Sequence, residues 1–159
     1  MVNPIIIHLV ESYSYMAFFL AFILGPFGVP VPNEVTILTG AVLSSTGMLN
    51  PYLTYACMLL GLLTAITISY VAGACFGQRL HARLQHKPYV HRAEKLFERL
   101  GSKALCIGFF IPVIRYVLPL FAGFHRMTYR MFAILAYSSA LLWTGLFFMI
   151  GHYVGVYLF

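Results

Sequence analysis

The sequence predicts an all-α integral membrane protein in which two oppositely oriented re-entrant helical hairpins and transmembrane helices form an inverted-repeat arrangement. Three observations carry this expectation. The 159 residues are 61% hydrophobic and only 9% charged, whereas a soluble domain of that size carries roughly a quarter charged residues and has no core large enough for so much apolar surface. The apolar sequence is interrupted twice where prolines precede a charge, at Pro30-Val31-Pro32-Asn33-Glu34 and at Pro112-Val113-Ile114-Arg115. Seven of the ten basic residues (Arg79, Arg83, Lys87, Arg92, Lys95, Arg99, Lys103) share one polar segment, the pattern of a cytoplasmic loop facing anionic lipid. The net charge of +6 therefore reads as topology, and no nucleic-acid partner is expected.

Residues 1–11, with Pro4, His8 and Glu11 among aliphatic side chains, are expected to form a short interfacial helix. No lysine or arginine precedes the first apolar run, so a cleavable signal is not expected and the whole chain should insert. Tyr13 to Leu24 makes about three turns, too short alone for a hydrocarbon core about 30 Å thick. The break at Gly25 to Pro32 follows, and Asn33 is placed to cap a helix with Glu34 in its first turn. Residues 13–46 thus read as a first broken hairpin, the alternative being one full span over 5–24 followed by a half helix. Both readings put the elbow inside the protein, since irregular backbone at membrane depth must be buried or line a wet cavity.

After a turn over 44–51, residues 52–77 give a continuous span. Gly73 and Gly77 form a GxxxG pair suited to close helix packing, and Thr64, Ser69 and Tyr70 give the span a weakly polar side. Residues 78–102 form a cytoplasmic connector that breaks near Lys87-Pro88. From Val90 on it is amphipathic, with Ala93, Leu96, Phe97 and Leu100 at helical spacing and Arg92, Glu94, Lys95, Glu98 and Arg99 between them. His81, His86 and His91 are spaced by five with no acidic ligand expected beside them, so no metal site is predicted. Residues 103–124 are a second broken hairpin, because Pro112 and Pro119 each lack a backbone donor and would kink or break a helix. A hairpin entering and leaving from the cytoplasmic side keeps Arg126 and Arg130 inside, as a full crossing would not. Residues 128–158 are the last span, with Trp143 within it and Tyr153 and Tyr157 at the far interface. The whole chain, 1–159, reads as one transmembrane domain.

The order of elements repeats: broken pair, span, polar connector, broken pair, span. Pro30 lies ten residues before Gly40, and Pro112 eleven before Gly123. Transporters with inverted repeats bring half-helix ends together near the midplane, where unpaired dipoles bind ions or head groups. With hairpins entering from opposite sides, Glu34 and Arg115 are expected to meet. An ion pair that only fixes packing would satisfy both charges equally, but each charge coincides with a helix break that packing alone does not require. Cys57, Cys75 and Cys106 read as small hydrophobes. No histidine, serine or cysteine is paired with an acidic residue as a nucleophile or metal site would need, so no enzyme, catalytic residue, cofactor or metal is predicted.

Pro30 to Glu34, Gly40-Ala41, Tyr70 with Gly73, and above all Gly108-Phe109-Phe110-Ile111-Pro112-Val113-Ile114-Arg115 followed by Ala122-Gly123 and Arg126-Met127 resemble the DedA family (the SNARE-associated Golgi protein, or VTT, domain) over about residues 13 to 158. The Pro-x-x-Arg elbow with its downstream Ala-Gly is the specific part. The resemblance implies two facing re-entrant hairpins in a multi-pass protein of the cell membrane. It also implies movement of lipid between leaflets, either a phospholipid such as phosphatidylethanolamine or the carrier undecaprenyl phosphate, with dependence on the proton motive force in some members. By position, Glu34 matches the acidic residue of the first hairpin and Arg115 the arginine after the second-hairpin proline. The substrate-binding or transport set implied is Glu34, Arg115, Pro30, Pro32, Pro112, Pro119, Gly123, Arg126 and Tyr70.

Two departures bear on the cargo. Relatives usually carry arginine where this chain has Phe109, and often Gly-Asp where it has Ala65-Ile66. Arg115 is then the only strong cation of its elbow. That favours a cargo with one phosphodiester charge and a compensating amine, phosphatidylethanolamine, over a phosphomonoester carrier. Arg115 would hold the phosphate by its guanidinium fork, and Glu34 the ammonium or a coupling proton. Undecaprenyl phosphate transport, and a non-transporting scaffold acting through residues 79–103, are the competing readings. Coupling to protons and a homodimer are left open.

Overall fold

The computed structural model describes residues 4–25 and 33–158. They form seven α-helices: α1 (Pro4–Ile23), α2 (Asn33–Ser45), α3 (Pro51–Leu84), α4 (Pro88–Leu100), α5 (Ala104–Gly108), α6 (Ile114–Phe124) and α7 (Tyr129–Leu158), with one 3₁₀ turn at Gly101–Lys103. Pro30 and Pro32 lie outside the described residues. α3 and α7 are long and apolar enough to cross a membrane. They expose Leu53, Leu60, Val71 and Phe76 on one helix and Leu141, Leu142, Leu146 and Met149 on the other, an apolar surface suited to lipid.

Local chemistry sets the helix ends. Gly47, at φ 78°, takes the left-handed conformation that ends α2. Asn50 caps α3, its Oδ1 accepting the N–H groups of Tyr52 (3.0 Å) and Leu53 (3.3 Å), and Pro51 fills the first helical position, where no N–H is needed. α3 continues to Leu84, past the expected end at Gly77, because residues 78–84 contain no glycine or proline. α4 starts with Pro88 and ends where the Gly101 N–H bonds the Phe97 carbonyl.

Two expectations are corrected. α1 is one helix of 20 residues, about 30 Å long, which agrees with the alternative of one continuous helix over 5–24 and not with an interfacial helix joined to a short leg. Pro4, the one breaker in that stretch, sits at the helix start, where it is tolerated. Pro119 does not interrupt its helix: α6 runs through it, and the interruption falls at residues 109–113. In the second turn of α6 a proline forgoes a single ladder bond, the one directed at the Arg115 carbonyl.

The helices build two compact units. The first comprises residues 1–62 and 144–159, with Phe22, Ile37, Ala41, Met58, Leu62 and Phe148 in its core. Here Gly40 of α2 lies against Thr54 and Met58 of α3, Gly151 of α7 faces Leu38 and Ala41, and Gly155 faces Val42 and Ser45. The numbers rise together, so α2 and α7 run in the same direction.

The second unit comprises residues 63–143, with Ile66, Val90, Leu105, Leu118, Phe121 and Phe132 in its core. Gly73 and Gly77 of α3 lie against Leu120 and Phe124 of α6, again with numbers rising together, and Gly123 lies against the Tyr70 carbonyl. A Cβ on Gly73 or Gly123 would overlap backbone of the facing helix. Gly73 and Gly77 stand as far from Pro51, the first residue of α3, as Gly151 and Gly155 stand from Tyr129, the first of α7. The glycine pair is thus used twice, each time to admit a shorter neighbouring helix. α4 covers α5 and α6, and His81 Nε2 lies 3.3 Å from Glu94 Oε1, tying the end of α3 to α4.

Candidate functional site

The interruption between α5 and α6 is an ordered elbow. The N–H groups of Phe110 and Ile111 bond the carbonyls of Ile107 (3.2 Å) and Gly108 (3.0 Å), closing α5. The Ile114 N–H then bonds the Pro112 carbonyl at 2.8 Å, across Val113 alone. Val113 has φ 69° and ψ −48°, the rare and strained form of γ-turn. A β-branched residue in that region is an outlier that costs on the order of 1–3 kcal/mol and persists only where surrounding contacts hold it. The turn starts α6 abruptly. Pro112 and Val113 stay exposed, while Ile114 and Arg115 are carried inward.

Arg115 is 2% exposed, and its guanidinium carbon lies 4.0 Å from the centroid of the Trp143 ring. Burying a cation costs several kcal/mol; a π face beneath it returns about 2 kcal/mol when both are desolvated. Stacking engages the guanidinium face and does not consume its in-plane N–H fork, the part that matches a phosphate. Phe109 is 1% exposed and serves as an apolar anchor of the elbow.

The remaining residues of the set fall in different places. Glu34 is half-buried in the first turn of α2, where a carboxylate complements the helix dipole. It belongs to the unit of residues 1–62 and 144–159, Arg115 to that of residues 63–143. The Tyr70 hydroxyl donates to the Met127 carbonyl (2.5 Å), and its ring stacks on Phe132 at 4.4 Å. Tyr70 and Gly123 therefore hold α3 against α6 and the segment that follows. Arg126 lies at the far end of α6 from Arg115, about 15 Å along the axis. There it occupies the left-handed position after a helix end (φ 52°), with the Met127 N–H bonded to the Ala122 carbonyl at 3.0 Å. Its neighbour across an open groove is Arg79.

Glu94 corrects one further expectation. It lies within 4.0 Å of both His81 and His91, so these histidines do have an acidic neighbour. Among the described residues no three His, Cys, Asp or Glu side chains converge as a metal site requires. Sequence reasoning missed Trp143 as the partner of Arg115. Its one signal was that it is the single tryptophan of the chain, within an apolar span.

Residues 31–153 match the family model described as the VTT domain. The chain belongs to the DedA/VTT family. This VTT protein is similar to the membrane protein YbfM of Bacillus subtilis (strain 168), with 30% identity over 154 residues covering 93% of this chain and 94% of that one. It is also similar to Protein DedA of Escherichia coli (strain K12), 28% identical over 131 residues, which cover 79% of this chain but only 60% of that protein's length. Inner membrane protein YqjA of the same organism is 27% identical over 157 residues, 96% of this chain and 71% of its own. No solved structure matches the VTT protein at a significant level. The family is implicated in membrane lipid handling and consists of non-enzymatic membrane transporters. This member is accordingly a multi-pass protein of the cell membrane, without enzymatic activity.

Proposed function

We propose that this VTT protein is a lipid translocator, a flippase or scramblase, that moves a phospholipid between the leaflets of the cytoplasmic membrane through two re-entrant elbows. The observation that carries the reading is the buried guanidinium of Arg115, placed on Trp143 by a strained turn. Strain of that kind recurs where a group must be pre-positioned. A chain selected for stability alone would lose little by replacing such a cation with an apolar side chain.

The cargo favoured is phosphatidylethanolamine. Arg115 takes the phosphate, and Glu34 is assigned the amine or a coupling proton. Phe109 leaves the elbow one strong cation, enough for a phosphodiester and poorly matched to the greater charge of undecaprenyl phosphate. Leaflet-resolved lipid labelling in reconstituted vesicles tests this. Wild type should equilibrate labelled phosphatidylethanolamine, while Arg115→Lys, which keeps the charge but loses the planar fork, should slow it at least tenfold, and Glu34→Gln should also slow it. Movement of undecaprenyl phosphate with phosphatidylethanolamine left in place would overturn the cargo. Full activity of Arg115→Lys would overturn the role of the elbow, and sensitivity only to neutralising Arg79, Arg83 and Lys87 would point to the scaffold reading.

A further inference from the structure

An open groove of about 470 Å³ lies between the C-terminal half of α3 and the end of α6, lined by Gly73, Phe76, Gly77 and Phe124 and flanked by Arg79 and Arg126. We infer that this groove is a binding site for one anionic phospholipid, distinct from the Arg115 elbow and independent of whether the protein transports lipid.

Charge selects the ligand class. Both arginines are exposed and, among the described residues, make no ion pair. No carboxylate lines the groove, and Gln78 is the one polar neutral side chain there. Two guanidiniums match a phosphate with no cation of its own. A zwitterionic head group would bring its ammonium against two positive charges without a carboxylate to receive it.

The apolar part points to a lipid in preference to free phosphate. Phe76, which lines the groove, is 54% exposed, an apolar ring against which an acyl chain can pack. Gly73 and Gly77, whose side-chain positions are filled by Leu120 and Phe124 of α6, present only backbone to the groove.

Backbone strain at Arg126 is the second observation. The residue after a helix end in this motif is usually glycine, and an L side chain at φ 52° costs on the order of 1 kcal/mol. An arginine kept at such a position, its head exposed in a groove with a second arginine, is a functional placement.

The test uses the full chain purified in mild detergent, with native mass spectrometry and thermal melting after addition of phosphatidylglycerol, phosphatidylethanolamine or inorganic phosphate. Phosphatidylglycerol should be retained and raise the melting temperature; the other two should not. Arg79→Gln and Arg126→Gly should each weaken phosphatidylglycerol binding about tenfold, and Arg92→Gln, on the exposed face of α4, should leave it unchanged. Glycine suits φ 52°, so Arg126→Gly should melt no lower than wild type without lipid; a lower melt would assign this arginine to the fold and overturn the site. Equal retention of phosphatidylethanolamine, an equal shift with inorganic phosphate, or an equal loss in Arg92→Gln would also overturn it. Binding is read without transport, so an inactive translocator with intact phosphatidylglycerol selectivity would refute the proposed function and leave this site standing.

Discussion

The guanidinium of Arg115, in the first turn of α6, lies 4.0 Å over the ring of Trp143 in the middle of α7. Both side chains are almost fully buried. The pairing makes Trp143 a determinant of where the cation sits. Replacing Trp143 by Leu should cost at least about 2 kcal/mol, from the lost π face and the cavity left behind. A double-mutant cycle with Arg115→Met, read by thermal unfolding in detergent, should give a coupling of about 1–2 kcal/mol. Additive effects would count against the stacking.

The Val113 turn stores strain that glycine would release. Val113→Gly should raise stability by about 1 kcal/mol, the left-handed penalty of a β-branched residue less the added chain entropy of glycine. It should slow lipid movement at the same time, because the elbow no longer fixes Arg115. A drop in melting temperature would show that the turn is not strained.

Close helix approach and backbone conformation can be separated at two glycines. Gly123→Ala should cost more than about 2 kcal/mol, since its Cβ meets the Tyr70 carbonyl. Gly101→Ala, at φ 56° and ψ −134° with open space around it, should cost on the order of 1–3 kcal/mol from backbone strain alone. A Gly123→Ala variant that melts like wild type would deny the tight contact of α3 with α6.

Tyr70→Phe should cost about 1 kcal/mol, the net value of its hydrogen bond to the Met127 carbonyl. Lipid movement should persist, because that hydroxyl is committed to backbone. A folded variant that moves no lipid would instead place the hydroxyl on the transport path.

The membrane class, the two long spans and the broken stretch before Arg115 were legible in the sequence because composition and prolines act locally. The same local logic failed at Pro119: its cost depends on which ladder bond is lost, and only one was at stake. Whether 5–24 forms one helix was open in the sequence, because Pro4, His8 and Glu11 give 1–11 an interfacial composition, yet Pro4 is tolerated at a helix start and a single carboxylate does not stop a helix. Val113 gave no warning, since valine is among the last residues to suggest a left-handed turn. Trp143 as a partner for Arg115 depended on a contact between α6 and α7 that no spacing encodes. The glycine pair at 73 and 77 was visible, but not the helix it admits, nor that Gly151 and Gly155 repeat the device.

That repeated device has a consequence for synthesis. α2 finds its glycine-lined seat on the last turns of α7, which are made after the six other described helices. The unit that carries Glu34 can therefore close only when α7 has been inserted, whereas residues 63–143 pack on one another as a unit of their own. The Arg115 elbow should form first, with α2 reaching its seat only once α7 is in the bilayer.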